Sequence, residues 1–406
     1  MMVPTTMLSN VQLARQRIRD FISYTPCQYS ADLSGMTGQQ VYLKLDNLQR
    51  TGAFKERGAL NKILLLTDEE KRRGIVAASA GNHAQAVAYH ATERGIHAQI
   101  VMPLMTPLVK VSATRGFGAD VILHGANYDE AYAEAVRRSK EQNMTFLHPF
   151  DDLAVIHGQG TIALELLEQI PDMEAVVVPI GGGGLISGVA GALKESNPKI
   201  RVIGVQTERL PSMLQACKAG KPVTLPAEAT IADGIAVRRA GDLTLPFVQR
   251  YVDEMVTVDE EEIASAILVL LEREKTLAEG AGAVALAALL HKKTSLTIQR
   301  TAVLVCGGNI DVSLLARIIE RGLVKDGRRV RIRVHLSDRP GALLSLTKIL
   351  ADQQANIVET LHNRAHYGVN LGDTVIDITL EARGPAHIQA ISAALHEGGY
   401  KFERIP

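Results

Sequence analysis

Tryptophan is absent from this 406-residue chain, and aromatic residues of all kinds make up only 4% of it. An interior of the size such a length demands must then be filled by alanine, valine, leucine and isoleucine, the composition of helices packed on a buried sheet. Cysteine is scarce as well. Cys27, Cys217 and Cys306 are an odd number without close spacing, which argues against a disulfide framework or a structural zinc site and fits reduced thiols in a cytoplasm. An excess of charge is also missing, since 44 Lys plus Arg balance 44 Asp plus Glu. No net field is left to hold nucleic acid or an anionic membrane, and a small-molecule partner is favoured. Long apolar runs are lacking too: the first twenty residues carry Arg15, Arg17, Arg19 and Asp20, and the runs at 263–271 and 281–290 are short enough to be buried helices. Neither secretion nor membrane insertion is expected.

What is present is alternation. Short apolar runs at 41–45, 74–79, 98–102, 121–123, 175–180, 202–206 and 302–306 are separated by Ala-rich helical patterns at 84–94, 128–142, 161–169, 185–195, 260–274 and 312–322. This order predicts an α/β unit built on mostly parallel sheet with crossover helices. After Gly327 the pattern changes to strand 330–336, helix 342–353, strands 356–364 and 374–380, helix 386–396 and strand 400–404. Such a βαββαβ order is that of a ferredoxin-like unit. The expected division is therefore a domain over 1–324, with a smaller subdomain at about 46–155, and a second domain over 329–406, joined by the charged stretch 325–329.

Three strands run into small-residue turns that open helices: Ser79-Ala80-Gly81-Asn82-His83, Gly181-Gly182-Gly183-Gly184 and Cys306-Gly307-Gly308-Asn309. Open α/β sheets bind ligands at such strand ends. The N–H groups of four successive glycines before a helix can converge on an anion, and phosphate is the obvious guest; a tight turn chosen for backbone freedom is the competing account. No Lys-Ser or Lys-Thr follows the glycines and no G-x-G-x-x-G follows the first strand, so nucleoside triphosphates and dinucleotides are poorly supported. Lys55 stands at the expected start of a helix, where the dipole and burial would lower its pKa, as a Schiff-base lysine requires. An ordinary surface lysine is the alternative for any single such residue.

Taken together, the segments 51–58, 79–85, 157–161 and 181–184, with Ala232-Asp233-Gly234, Glu279-Gly280-Ala281-Gly282-Ala283 and the 306–309 turn, resemble the fold-type-II pyridoxal-phosphate enzymes. The likeness is specifically to the threonine ammonia-lyase and serine racemase group. It implies a tryptophan-synthase-β-like catalytic domain with pyridoxal 5'-phosphate as cofactor. Lys55 would hold the cofactor as a Schiff base and then take the substrate Cα proton, with Ser79 as a second catalytic candidate. Gly181, Gly182, Gly183, Gly184 and the N–H of Leu185 would cradle the phosphate. Asn82 would bond the ring hydroxyl, Phe54 and Gly234 would flank the ring faces, and Cys306 would face the pyridine nitrogen, where many relatives have Ser. Ser79, Gly81, Asn82 and His83 would bind the substrate carboxylate through hydroxyl or backbone donors.

Two departures refine the expected reaction. Ala80 stands where racemases of this group tend to carry a proton-exchanging Ser, which favours one-faced elimination of water from L-threonine, and from L-serine, over racemisation or β-replacement. Gln206 follows Gly204-Val205 where some relatives hold a divalent cation with an acid, so no metal is expected. Glu279 either touches the cofactor network or serves only the dipole of its helix.

The C-terminal unit resembles an ACT domain through 335–343, with Asp338, Pro340 and Gly341 at its first strand-to-helix turn and Asn356 and Ile357 where the next strand begins. This implies an amino-acid effector site and a homodimer or homotetramer; a dimerisation domain without ligand is the blander alternative. A non-catalytic amino-acid sensor is the alternative to an enzyme, and an intact Lys55 speaks against it.

Overall fold

The computed structural model describes residues 6–297, 300–363 and 372–405. The chain divides into two units, Met1–Ile310 and Asp311–Pro406. The division thus precedes the helix Val312–Lys325, which packs on a strand of the second unit. The charged stretch after that helix is a tight reversal: Gly327 at φ 66° donates to Val324 O, and Arg328 donates to Leu323 O. This paired closure needs a left-handed residue, which glycine adopts without strain.

The first unit holds two sheets. Strands β1 (Cys27–Ser30), β2 (Gln40–Leu45), β3 (Ile75–Ala78), β4 (Ala98–Met102), β5 (Asp120–Leu123), β6 (Thr145–Phe146), β7 (Ala175–Pro179), β8 (Arg201–Thr207), β9 (Glu254–Val258) and β10 (Arg300–Val305) follow in chain order. The larger sheet runs β1-β2-β10-β7-β8-β9, and within it only β1 is antiparallel; the smaller, β5-β4-β3-β6, is all parallel. Alternation alone missed β1, β6 and β9. Each lies at an edge of its sheet, and β6 is two residues long, so none carries the continuous buried run that marks a central strand. By contrast β7, Ala-Val-Val-Val-Pro, is buried at every position.

Three helices meet almost backbone to backbone. A Cβ on Gly158 would lie 2.5 Å from Arg57 O, and one on Gly188 would lie 2.2 Å from Ile156 O. The helix Leu153–Gln169 therefore clamps the helix Lys55–Leu64 on one side and the helix Gly184–Ser196 on the other. Beneath this junction lie Lys44, Asp46, Arg57 and Glu165, all buried. Arg57 Nε donates to Asp46 Oδ2 at 2.7 Å and its Nη2 to Glu165 Oε2 at 3.0 Å, while Lys44 Nζ reaches Glu165 Oε2 at 2.6 Å. Two cations and two anions compensate one another there.

The second unit contains β11 (Arg329–Ser337), β12 (Asn356–Asn363), β13 (Asp373–Glu381) and β14 (Lys401–Ile405), with helices Ala342–Asp352 and Pro385–Glu397. Its antiparallel sheet has the order β12-β13-β11-β14, a ferredoxin-like arrangement. Val330, Ile332, Val334 and Leu336 alternate onto one face and pack with Leu346, Leu350, Ile391 and Leu395. Arg364, the expected end of β12, lies outside the described residues. Among the described residues no helix is long and apolar enough to cross a membrane.

Candidate active site

The C-terminal ends of β3, β7 and β10 open on one cavity of about 720 Å³. After β3 the chain passes Ser79, whose Oγ accepts the Gly81 N–H at 3.2 Å, and enters the helix Asn82–Thr92. Because Gly81 supplies no capping side chain, the first-turn N–H groups, that of His83 included, keep no intrahelical acceptor. After β7 come the four glycines. Gly183, at φ 99°, caps the helix Gly184–Ser196. The Phe150 ring fills the space where a Gly182 side chain would go, a Cβ there lying 2.3 Å from the ring. The Thr244 hydroxyl donates to Gly182 O at 2.6 Å, and Asp151 accepts the N–H of Leu243 at 2.9 Å, so the glycine turn is held from behind. Its face toward the cavity presents the free N–H groups of the helix start, including Leu185, an arrangement suited to an anion.

Lys55 reaches this cavity because its loop is zipped to the end of β10. Phe54 N–H donates to Cys306 O at 3.0 Å and Gly308 N–H to Gly52 O at 2.9 Å, flanking a bridge between Ala53 and Gly307. The Lys55 ammonium donates to Pro149 O at 2.8 Å and lies 5.2 Å from the Phe54 ring centre. Burial pushes its pKa down to about 8, against the opposing pull of Cys306 and Glu279. Burial drives the Cys306 thiol well above its ordinary value. Its proton is directed at Ala281 O, 3.6 Å away. The thiol is thus a neutral donor already committed to a backbone carbonyl.

Asn82 sits between two partners: its Oδ1 accepts from Asn309 Nδ2 at 2.9 Å and its Nδ2 donates to Glu279 Oε1 at 2.6 Å. Burial, with Asp233 adding repulsion, raises the Glu279 carboxyl to about 7. Glu279 begins the helix Gly280–Leu290 but its side chain makes no capping bond. The side chain of Glu279 is bonded to Asn82 and so belongs to the network at the cavity wall. The His83 side chain is engaged away from the cavity, which leaves untouched the backbone role expected of this residue. Its Nε2 is 3.1 Å from Leu147 O, which can only accept, so Nε2 carries the proton and Nδ1 is left as a buried lone pair without a partner. Burial holds the ring neutral, with a pKa pushed down to about 3. Only the His83 backbone N–H remains to donate into the cavity. Gly234 is small for a reason inside the protein as well, since a Cβ would lie 2.9 Å from Ala281 Cβ.

Lys55, Phe54, Ser79, Ala80, Gly81, Asn82, His83, the four glycines, Leu185, Gly234 and Cys306 all line this cavity. Sequence reasoning overlooked the segment His148–Asp151 and Thr244, which carry no motif and owe their place to loops folding over the glycine turn. Asn309 was visible in the third turn without a role. Gln206 is buried, its Oε1 accepting Leu214 N–H at 2.9 Å and its Nε2 3.4 Å from Ile180 O. In the second unit the five expected regulatory residues do not come together. Asp338, Pro340 and Gly341 follow β11, whose Ser337 pairs with Asp373, whereas Asn356 and Ile357 pair with Glu381 and Leu380 at the other end of β13. The crossover through the helix Ala342–Asp352 returns the chain to the end of the sheet where β11 starts. The two segments are separated by most of a nine-residue strand, on the order of 25 Å.

The profile of a family described as pyridoxal-phosphate dependent enzyme matches residues 18–307. An L-threonine ammonia-lyase of Thermotoga maritima is 50% identical over 398 residues, 98% of this chain and 99% of that protein. Among solved structures, the processed form of threonine deaminase isoform 2 from Solanum lycopersicum matches with a TM-score of 0.74 and 36% identity, covering 77% of this chain and 86% of that one. Maize serine racemase matches with the same TM-score of 0.74 and 37% identity, over 79% of this chain and 99% of that one.

Proposed function

Because this chain belongs to the pyridoxal-phosphate dependent enzyme family, we propose that it is an L-threonine ammonia-lyase that converts L-threonine to 2-oxobutanoate and ammonia, and L-serine to pyruvate. The observation that carries the reading is one cavity holding both a lysine amine of lowered pKa and, on its wall, a glycine-lined helix start. The residues fit the cofactor: a Cβ on Gly182 or Gly183 would strike Phe150 or Met213, so backbone alone faces a phosphate there.

When bound, the pyridine ring supplies an electron sink for the pair left at the substrate Cα. Lys55, neutral more readily than an ordinary lysine, is the covalent attachment point and the base that takes the Cα proton. Gly181 to Gly184 and Leu185 would hold the phosphate, and Asn82 would hold the ring oxygen. The Ser79 hydroxyl and the N–H groups that open the helix Asn82–Thr92 orient the substrate carboxylate. Cys306, a neutral thiol on the cavity wall, would offer no full charge to the ring nitrogen of a bound cofactor. That restraint on the sink favours departure of the β-hydroxyl over transamination. Ala80 offers only a methyl, so that position has no proton to return to the opposite face of Cα. A pocket that admits the β-methyl of threonine cannot strongly reject its absence in serine.

The C-terminal unit is read as an effector module, and its two candidate segments at opposite ends of one sheet support a site completed between copies, hence a homodimer or homotetramer. Three unpaired cysteines support a reducing, cytoplasmic setting. Steady-state assay with L-threonine and L-serine, with chiral analysis of products, tests the reading. Release of 2-oxobutanoate, abolished by Lys55→Ala, is expected; D-serine or a β-substituted amino acid as the main product would refute it.

A further inference from the structure

The amide of Asn82 has a single permitted orientation, and two residues outside the expected site dictate it. Asn309 Nδ2 lies 2.7 Å from Thr51 O and 2.9 Å from Asn82 Oδ1. A backbone carbonyl only accepts, so the Asn309 atom between them must be nitrogen, and its second N–H must find an acceptor on Asn82. That makes the near atom of Asn82 oxygen and the far one nitrogen. From the opposite direction Glu279, ionised above about pH 7 and then only an acceptor, faces Asn82 at 2.6 Å and demands nitrogen. Both ends of the chain Thr51, Asn309, Asn82, Glu279 therefore require the same arrangement. One N–H of Asn82 Nδ2 goes to Glu279, and the other has no protein acceptor on a residue that lines the cavity.

The backbone has been shaped around this chain. Gly52, at φ 75°, would place a Cβ 2.4 Å from Asn309 Oδ1, and Gly307 would place one 2.3 Å from Glu279 Oε1 and 3.1 Å from Asn82 Nδ2. Two glycines in facing loops thus make room for the two side chains that hold Asn82. The Glu279 backbone N–H also donates to Gly307 O at 3.0 Å, so the carboxylate is anchored to the same turn.

We infer that Asn309 and Glu279 are positioning residues that make Asn82 an obligate hydrogen-bond donor toward the cavity, and so select a ligand with an anionic oxygen at that point. The inference rests on the pyridoxal-phosphate reading and adds to it the source of selectivity at the ring oxygen. Asn309→Asp, nearly isosteric, replaces the relaying donor by an acceptor. Asn82 must then turn its nitrogen toward position 309 and present oxygen to Glu279 and to the cavity. Asn309→Leu removes the donor without reversing the amide.

The test is titration of the full-length chain, freed of cofactor, with pyridoxal phosphate at pH 8, following the visible absorbance of the bound form. Asn309→Asp is expected to weaken binding by roughly 10-fold to 100-fold and Asn309→Leu by roughly 10-fold or less, as for reversal and loss of one charge-assisted bond. A role in filling space would give the opposite order, because Asp matches the shape of Asn and Leu does not. Asn309→Asp binding as well as or better than Asn309→Leu overturns the inference. Should Asn309→Asp fail to fold, Glu279 decides: Glu279→Gln keeps an acceptor and stays within about 3-fold of wild type, whereas Glu279→Leu loses roughly 10-fold or more. Equal losses in those two variants overturn the inference. A wild-type chain that binds no pyridoxal phosphate would instead refute the functional reading on which the inference stands.

Discussion

The lowered pKa of Lys55 can be read directly from how fast the cofactor-free protein captures pyridoxal phosphate as pH is varied. Only the neutral amine attacks an aldehyde. With the ordinary lysine value of 10.5 roughly one amine in three thousand is neutral at pH 7, whereas with a pKa near 8 roughly one in eleven is. The gain in reactive form is therefore about 300-fold. Its cause is burial, which outweighs the opposing pull of Glu279 and Cys306 toward the charged form. The sign follows: capture is slow below pH 7, rises through pH 8 and levels off above pH 9, while a free lysine analogue goes on rising past pH 10. Stopped-flow absorbance on protein and analogue, taken as a ratio, cancels the titrations of the cofactor itself. A protein rate that climbs without a plateau to pH 10 would refute the argument that burial governs this amine. Lys55→Ala should abolish the visible band altogether.

Three further outcomes follow from the same physics. Arg57→Met leaves Asp46 and Glu165 buried without their main counter-charge; denaturant unfolding should show a loss of about 3–5 kcal/mol, and a change under about 1 kcal/mol would contradict the buried-network account. Gly188→Ala places a methyl 2.2 Å from Ile156 O, so the clamped helices must part; a loss of about 1–3 kcal/mol in stability together with weaker cofactor binding is expected from a residue that does not line the cavity. Glu279 is raised when folded, so its contribution to stability is present below its ordinary value of 4.5 and is lost as pH rises through about 7. Glu279→Gln should therefore raise the melting temperature of the cofactor-free protein at pH 8 and not at pH 4.5, and equal shifts at both would count against it.

Much of the fold was legible because its central strands and helices are defined by local pattern. The runs at β3, β7 and β10 are apolar at successive positions, and each is followed by small residues that open a helix, so both the sheet and the ligand end of it could be read along the chain. The edge strands were not legible, since an edge is a property of neighbours. The helix Val312–Lys325 was assigned to the first domain because its pattern continues the α/β alternation, and only packing placed it with the second. His83 shows the same limit at a single residue: its place in a turn at a strand end was readable, but its tautomer depends on Leu147 O, which no motif predicts.

By itself, then, the sequence determined the chemical inventory: a lysine at a helix start, a four-glycine turn, an asparagine and a cysteine at strand ends, and an alanine without a proton to exchange at position 80. Those features are local, set by residue type and by the few dihedral choices available to a strand-turn-helix unit. Tertiary structure alone decided how they act. The Lys55 amine lies buried with a lowered pKa because the Gly52–Phe54 loop is zipped to Cys306–Gly308 and set beside Pro149. The Asn82 amide has its orientation because Thr51, Asn309 and Glu279, distant in the chain, close on it from both ends. Desolvation and hydrogen-bond direction are properties of surroundings, and surroundings exist only once the chain has closed on itself.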